Sequence, residues 1–136
     1  MSMVWNTSLE VGDATIDADH RRMMELIGLL ESAGSGTGKE VHVGRTLAEL
    51  TQLTAEHFSR EEALQRRIGF PDHDAHRASH DMLLKRLDSI MAHYSVGSDD
   101  VRAGIIRTLG DSLATWLVTH ITNSDMEFKP YMAESP

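Results

Sequence analysis

Histidine and carboxylate side chains stand in this chain at spacings that suit a metal ion. His57 and Glu61 are four residues apart, and so are His76 and His80. Residues four apart lie one above the other on the same face of an α-helix, so each pair can reach one metal centre. Imidazole and carboxylate without sulfur suit iron, manganese or zinc. The two pairs therefore predict metal binding, provided that they lie on helices.

A third pair, His120 and Asp125, needs a change in its helix. Its members are five residues apart, which turns Asp125 roughly 140° further round an ideal helix than His120. The intervening Ile-Thr-Asn-Ser favours a helix only weakly. The pair can converge if the helix loosens or ends between its members.

Glycine and proline divide the chain into the elements that must position these pairs. The breaks lie at residues 34–38, 69–71 and 96–100, and such residues interrupt helical periodicity. We predict an extended lead of about residues 1–17 and four helices, at about residues 18–33, 39–68, 72–94 and 99–122. Asp72 and Ser98 or Asp99 suit N-caps, and Gly69 suits a helix C-terminus. With 136 residues, the chain fits a single domain over residues 1–136.

Short connections between long helices favour an all-α, antiparallel up-down-up-down four-helix bundle. His76, His80, Leu83 and Leu87 follow one stripe of the third helix, and the second and fourth helices carry similar stripes. In this topology the four helix ends that bear polar core residues are the same end. The predicted layer comprises His20, His57, Glu61, His76, His80, His120 and Asp125. A lone histidine on an apolar face is more often a hydrogen-bonded core residue, and for His20 by itself this alternative is favoured.

Seven ligands are too many for one ion, and the known alternatives fit poorly. The chain has no cysteine, which removes thiolate zinc sites and Fe–S clusters. The segment His76-Arg-Ala-Ser-His80 lacks the glutamate of the metalloprotease HExxH helix. Ferritin-like di-iron proteins use Glu-x-x-His pairs and more carboxylates. The identity of the metal stays open at this point.

Several motifs occur in one order along nearly the whole chain. They are Trp5, Ile16-Asp-Ala-Asp-His20, His57-Phe-Ser-Arg-Glu61-Glu62, Gly69-Phe-Pro71, His76-Arg-Ala-Ser-His80 and Trp116-Leu-Val-Thr-His120-Ile-Thr-Asn-Ser-Asp125. This series resembles the hemerythrin family, and the length and the Trp5 lead look like a single-domain bacterial member. The resemblance implies a non-haem di-iron centre that binds dioxygen reversibly.

The resemblance also implies a role for each ligand. His76, His80 and His120 would bind one iron and His20 and His57 the other, while Glu61 and Asp125 would bridge both beside an oxo or hydroxo group. This set leaves one open position for dioxygen. An apolar wall is expected around it, formed by Met23, Phe58, Trp116, Leu117 and Ile121; ordinary core packing is an equal alternative for each.

Gln65 departs from the family pattern, because many bacterial members carry methionine one turn after the bridging glutamate. We predict either that its amide hydrogen-bonds to a ligand or to the bound species, or that it points to solvent, with slightly better odds for the second. His42, His73 and His93 are predicted to lie on the surface.

Net charge and hydropathy limit the classes of molecule that the protein is expected to bind. The net charge of −8 disfavours nucleic acid and anionic membranes, and no stretch approaches the roughly 20 apolar residues of a membrane span. We therefore expect a cytoplasmic protein. The resemblance implies a monomer that carries, stores or delivers dioxygen, working with an oxygen-consuming enzyme or a reductase. Alternatives are an oxygen or redox sensor and a peroxide- or nitric oxide-consuming enzyme; iron storage is disfavoured.

Overall fold

A computed structural model of the chain describes Trp5 and residues 7–35, 42–123, 125–127 and 129–133. All of its regular elements are helices or 3-10 turns. In chain order they are a 3-10 turn at Thr7–Leu9, α1 at Ala14–Ser35, α2 at Val43–Ile68, α3 at His73–Val96, α4 at Asp99–Asn123, a 3-10 turn at Asp125–Glu127 and α5 at Lys129–Ala133. No strand occurs within these described ranges, so the all-α prediction is confirmed.

The four long helices close into a ring. α1 packs along both α2 and α4, α2 packs along α3, and a smaller contact joins α3 to α4. Neighbours in sequence are therefore neighbours in space, as short connections require. The predicted antiparallel up-down-up-down four-helix bundle is confirmed.

The first helix begins earlier than its sequence pattern predicts. The carboxylate of Asp13 accepts hydrogen bonds from the backbone N–H groups of Thr15 and Ile16, both at 3.0 Å, which caps α1 at its start. The prediction of an extended lead through residue 17 is wrong for residues 14–17 and for Thr7–Leu9, which form a 3-10 turn. Thr15 and Ile16 are β-branched and favour helices weakly, so periodicity alone gave the start at residue 18.

The end of α2 is fixed by Gly69, as predicted. Gly69 adopts a left-handed φ of 72°, and its N–H donates to Arg66 O while the N–H of Phe70 donates to Gln65 O at 2.9 Å. This pair of bonds is the Schellman arrangement, which satisfies the last carbonyls of a helix. The predicted start of α2 at residue 39 falls outside the described residues, and the described helix begins at Val43.

Of the two predicted N-caps, one caps its helix through its side chain and the other does not. Ser98 Oγ accepts from Val101 N at 3.3 Å and caps α4. Asp72 precedes α3, but its side chain makes no capping hydrogen bond. Its backbone carbonyl accepts from His76 N at 3.1 Å instead. The prediction of a side-chain cap at Asp72 is therefore wrong.

Two apolar clusters hold the bundle together. The larger one fills the interior and reaches the polar end at Phe58, Leu117 and Ile121; its other members include Leu26, Ile27, Leu30, Leu47, Leu50, Leu87, Leu109 and Leu113. The smaller one covers the polar end and consists of Val11, Ile16, Leu64 and Phe70 with Ile68 and Met126 beside it. No helix in the described part of the chain is both long and apolar enough to cross a membrane.

At Gly110, the backbone of α4 lies very close to the backbone of α1. A Cβ atom added to Gly110 would lie 2.6 Å from the backbone nitrogen of Glu31. Only a residue without a side chain fits at this distance. Gly110 therefore lets α4 approach α1 closely.

Candidate metal centre

Glu61 lies in the middle of the polar end of the bundle, with its side chain 0 % exposed. Its Oε2 lies 2.9 Å from Nε2 of His57 and 3.7 Å from Nε2 of His20. Its Oε1 lies 3.2 Å from Nε2 of His80 and 3.7 Å from Nε2 of His120. The two oxygens of one carboxylate thus face two different groups of histidines.

The two carboxylate oxygens of Asp125 also face two different groups of histidines. Its Oδ2 lies 3.0 Å from Nε2 of His20, whereas its Oδ1 lies 2.9 Å from Nε2 of His76 and 2.8 Å from Nε2 of His120. The chain leaves α4 at Asn123 and enters a 3-10 turn at Asp125. This end of the helix lets His120 and Asp125 converge, as the sequence predicted.

The ligand-type atoms form two groups that share both carboxylates. One group is Glu61, His76, His80, His120 and Asp125, and the other is His20, His57, Glu61 and Asp125. Within each group the atoms lie within 4.8 Å of one another, and every member is buried. All seven side chains predicted to share one layer are therefore brought together. The arrangement has room for one metal ion in each group.

Unpaired buried atoms test whether metal ions fit here. Both carboxylates and four of the histidines contribute polar atoms that have no hydrogen-bond partner: Glu61 Oε1 and Oε2, Asp125 Oδ1 and Oδ2, and Nε2 of His20, His57, His80 and His120. The carboxylate oxygens lie 2.8 to 3.7 Å from the imidazole nitrogens that they face, and burial of the carboxylates is costly unless they share a cation, either a proton or a metal ion. Cations bound between the carboxylates and the imidazoles remove this cost, so the donor set fits a pair of metal ions.

A carboxylate behind His57 fixes the direction of its ring. Nδ1 of His57 donates to Oδ2 of Asp19 at 3.1 Å. Asp19 is held in turn by Arg60, whose Nε and Nη2 donate to its two oxygens at 2.9 and 2.8 Å. Such an outer partner fixes the tautomer of a histidine and raises its basicity as a ligand. His57 Nε2 is thereby left to face the centre.

Partners of the same kind lie behind two further histidines. Nδ1 of His80 lies 3.0 Å from Oε2 of Glu62, and Nδ1 of His76 lies 2.7 Å from the amide nitrogen of Gln65. Gln65 is fully buried. Its prediction as a surface residue is wrong, and the alternative in which its amide contacts a ligand-type residue is confirmed.

Sequence reasoning did not assign the partners Asp19, Arg60 and Glu62. Each lies next to a ligand-type residue in the sequence, since Asp19 precedes His20 and Glu62 follows Glu61. Adjacent residues on a helix point in different directions, so their proximity gave no sign of a shared function. Asp19 and Glu62 could be noticed as carboxylates beside ligand positions, but the sequence does not indicate that they contact His57 and His80 on other helices.

Charges at the centre are mutually stabilised in the metal-free chain. Burial opposes the charged form of His57, but contacts with Asp19 and Glu61 outweigh it and raise its pKa to about 9. Burial likewise opposes charge on His120, and contact with Asp125 raises its pKa to about 10. Despite burial, the neighbouring histidines hold the pKa of Glu61 well below its usual range. Protons therefore balance the carboxylates here, and a metal cation would replace them.

Aromatic rings cover the first group of ligands. Phe58 stacks on His80 with ring centroids 3.7 Å apart and planes 2° from parallel. Trp116 stacks on His120 at 4.7 Å. Met23, Phe58, Leu117 and Ile121 of the predicted apolar wall are buried, whereas Trp116 is half-buried. The centre is thus enclosed largely by apolar side chains.

Three histidines stay apart from the centre, as predicted. His42 and His93 are exposed, and His73 is partly exposed. His73 contacts Asp74 at 3.2 Å, near the start of α3. None of these three belongs to either ligand group among the described residues.

Comparison with known proteins gives one consistent family. The family model described as "Hemerythrin HHE cation binding domain" matches residues 11–132. A bacteriohemerythrin of Pseudomonas paraeruginosa is 30% identical over 123 residues, which are 90% of this chain and 76% of that protein. A bacteriohemerythrin of Methylococcus capsulatus is 28% identical over 133 residues, 96% of this chain and 97% of that protein.

Solved structures agree on the fold. A crystal structure of a leucine-to-alanine mutant of hemerythrin superposes with a TM-score of 0.79, at 23% identity, covering 96% of this chain and 98% of that one. At this identity the likeness concerns the four-helix fold. The family follows from the family model and from the sequence relatives.

Proposed function

Because the chain belongs to the hemerythrin family, we propose that it binds dioxygen reversibly and serves in oxygen transport, storage or delivery. The family binds a di-iron centre, and the buried cluster of histidines and carboxylates is suited to it. Reversibility and the physiological task are the proposed part. When it is bound, a di-iron pair supplies the two electrons and the coordination position that dioxygen binding needs.

The observation that carries this proposal is the division of each carboxylate between two groups of histidines. Oε2 of Glu61 faces His20 and His57, whereas its Oε1 faces the other three histidines. Asp125 is divided in the same way between His20 and His120. Two carboxylates that each face both groups of histidines suit a pair of metal ions that share these carboxylates as ligands. A single-metal hydrolase has no need of such paired bridges.

We assign the ligands according to these two groups. His76, His80 and His120 would hold one iron, His20 and His57 the other, and Glu61 and Asp125 both. The second iron then has one histidine fewer than the first. This side of the centre would therefore leave a position for dioxygen.

The surrounding residues would protect the bound molecule. Phe58, Leu117 and Ile121 are nearly or fully buried, and the ring of Phe58 lies 5.7 Å from the ring of His57, on the side with two histidines. Apolar side chains that line a small-molecule site exclude water and leave few groups able to deliver a proton. Such a lining favours release of dioxygen unchanged over its reduction.

The test is to load the protein with iron, reduce it without air, admit air and record the visible spectrum while iron per chain is measured. We expect two irons per chain and an absorption band that disappears when oxygen is removed. His80→Ala should lose the band, whereas His93→Ala, an exposed histidine on the same helix, should keep it. An irreversible colour, or fewer than two irons, would contradict the proposal.

The same sample separates the alternatives of an enzyme and a sensor. An enzyme that consumes peroxide or nitric oxide predicts steady loss of either substrate while a reductant is present. A sensor predicts that oxygen binding alters the affinity for a separate partner. A reversible band without steady consumption supports carriage, storage or delivery of dioxygen. An oxygen-consuming enzyme or a reductase is the partner expected for that task.

A further inference from the structure

The amide of Gln65 is buried against one side of His76. Its Nε2 lies 2.7 Å from Nδ1 of His76, and its Oε1 is buried without a hydrogen-bond partner. The backbone of Gln65 is fixed as well, because its carbonyl accepts from Phe70 N in the Schellman turn at the end of α2. The backbone and the side-chain amide of Gln65 are therefore both fixed, and the amide lies within hydrogen-bonding distance of the His76 ring.

His76 differs from two other histidines of the centre in the chemistry of this partner. Behind His57 and His80 stand the carboxylates of Asp19 and Glu62. Nδ1 of His76 also lies 3.4 Å from Oε1 of Glu61, but that oxygen belongs to the carboxylate shared by both groups and would be committed to the metal pair. An ionised carboxylate carries charge and only accepts hydrogen bonds, whereas an amide is neutral and can either donate or accept. Because a carboxylate behind a ring raises the basicity of a ligand more than a neutral group does, His76 has the weakest such support of the three.

We infer that Gln65 is a positioning residue that directs His76 toward the metal pair and keeps it a weaker electron donor than the carboxylate-backed histidines. The inference rests on the proposed role of His76 as a ligand and does not depend on dioxygen. It assigns to Gln65 an effect on the affinity and the reduction potential of one of the two metals.

The neutral amide can serve either tautomer of the His76 ring. Nε2 of His76 lies 2.9 Å from Oδ1 of Asp125, and with the ring proton on Nε2 the amide nitrogen of Gln65 can donate to Nδ1. With Nε2 directed at a metal, the ring proton would lie on Nδ1. A half-turn of the amide then lets Oε1 of Gln65 accept from that proton. Asp19 and Glu62 cannot change roles in this way.

Weaker donation from His76 has a consequence for the iron that it binds. A stronger donor stabilises iron(III) relative to iron(II) and lowers the reduction potential. A neutral partner at Gln65 therefore favours the iron(II) form, the form that a dioxygen-binding centre must keep between cycles. A carboxylate at this position would have the opposite effect.

The experiment compares Gln65→Met and Gln65→Glu with the same two changes at Gln52. Gln52 is exposed on α2, so it is a matched control for each substitution. Iron(II) is loaded without air, and its release to a chelator is followed in each variant. The reduction potential of the loaded protein and the thermal unfolding of the metal-free protein are measured beside it.

Gln65→Met should release one of its two irons about 10- to 100-fold faster than the unaltered chain, the usual effect of removing an outer partner of a ligand. Gln65→Glu should release iron more slowly than the unaltered chain and have a lower reduction potential. Both Gln52 variants should match the unaltered chain. A merely structural role would move both Gln65 variants in the same direction, and that result would overturn the inference.

Release rates in Gln65→Met equal to those of Gln52→Met would also overturn it. This comparison stands alone if the added charge of Gln65→Glu prevents folding. Since all of these measurements are made without dioxygen, they separate the two proposals. An unaltered chain that fails to bind two irons contradicts the proposed function, whereas equal release rates in a chain that binds two irons contradict only the role of Gln65.

Discussion

The two ends of the bundle use the same helix positions for opposite purposes. On α2, one buried stripe begins with Leu47 and Leu50 and continues through Thr54 to His57 and Glu61. The leucine end packs against other apolar side chains. The histidine end carries buried polar atoms that lack hydrogen-bond partners.

The apolar end and the polar end therefore contribute differently to stability and to metal binding. Burial of leucine side chains lowers the free energy of the folded chain whether or not metal is present. Burial of carboxylates and imidazoles is costly unless they are paired with each other or with a cation. The apolar end should therefore maintain the fold while the polar end binds metal at a cost in stability. Substitutions at the two ends should have separable effects.

The largest effect is expected from Glu61→Ala. The variant lacks the carboxylate that is shared by both groups, so it should lose the ability to hold two irons while its helices persist. Iron per chain and circular dichroism measure the two properties. Glu56→Ala, at an exposed position on the same helix, should bind iron like the unaltered chain. Two irons retained in Glu61→Ala would contradict the shared-bridge arrangement.

A smaller effect, on stability alone, is expected from Leu47→Ala. Leu47 is fully buried in the apolar cluster, and removal of such a side chain typically costs about 2–5 kcal/mol. Denaturant unfolding of the metal-free protein measures the loss, and the folded variant should still bind two irons. Leu29→Ala, where the side chain is 44% exposed, should cost clearly less. Loss of iron binding in folded Leu47→Ala would show that the two ends are not separable.

The smallest effect is expected from Gly110→Ala, which tests the contact between α1 and α4. The added methyl group would meet the backbone of Glu31, and overpacking of this kind costs about 1–3 kcal/mol. In Gly28→Ala, on α1, the added atom meets nothing within 4 Å, so the better helix propensity of alanine should leave stability equal or higher. Thermal unfolding of both variants distinguishes them. Equal stability would mean that the helices separate easily.

The fold and the ligand layer could be predicted from the sequence because both depend on periodicity. Residues four apart share a helix face, and short connections bring alternate helix ends together. His57 with Glu61 and His76 with His80 therefore indicated their own convergence. The pair His120 and Asp125 followed because the end of α4 could be recognised from weak helix formers. Which metal each histidine binds stays a prediction, as does the single domain over residues 1–136.

The features that sequence did not predict depend on side-chain direction. Asp13 caps α1 through contacts with backbone groups, and these leave no periodic pattern. Asp19 serves His57 on another helix rather than its own neighbour His20. The inward direction of Gln65 depends on the space beside His76, which only the packed bundle defines. Local spacing could not reveal any of these contacts.

The meeting of His20 with Asp125 also bears on the order in which the chain folds. The ligand-type residues of α2 and α3 are joined by the turn at Gly69, so their contacts are local in sequence. His20 and Asp125 lie near opposite ends of the described chain, yet their side chains are 3.0 Å apart. Contacts of long sequence separation form late, because closing a long loop costs entropy before any contact compensates for it. A refolding chain should therefore acquire the α2–α3 half of the centre first, and the docking of α1 and α4 should limit the rate at which it becomes able to hold both irons.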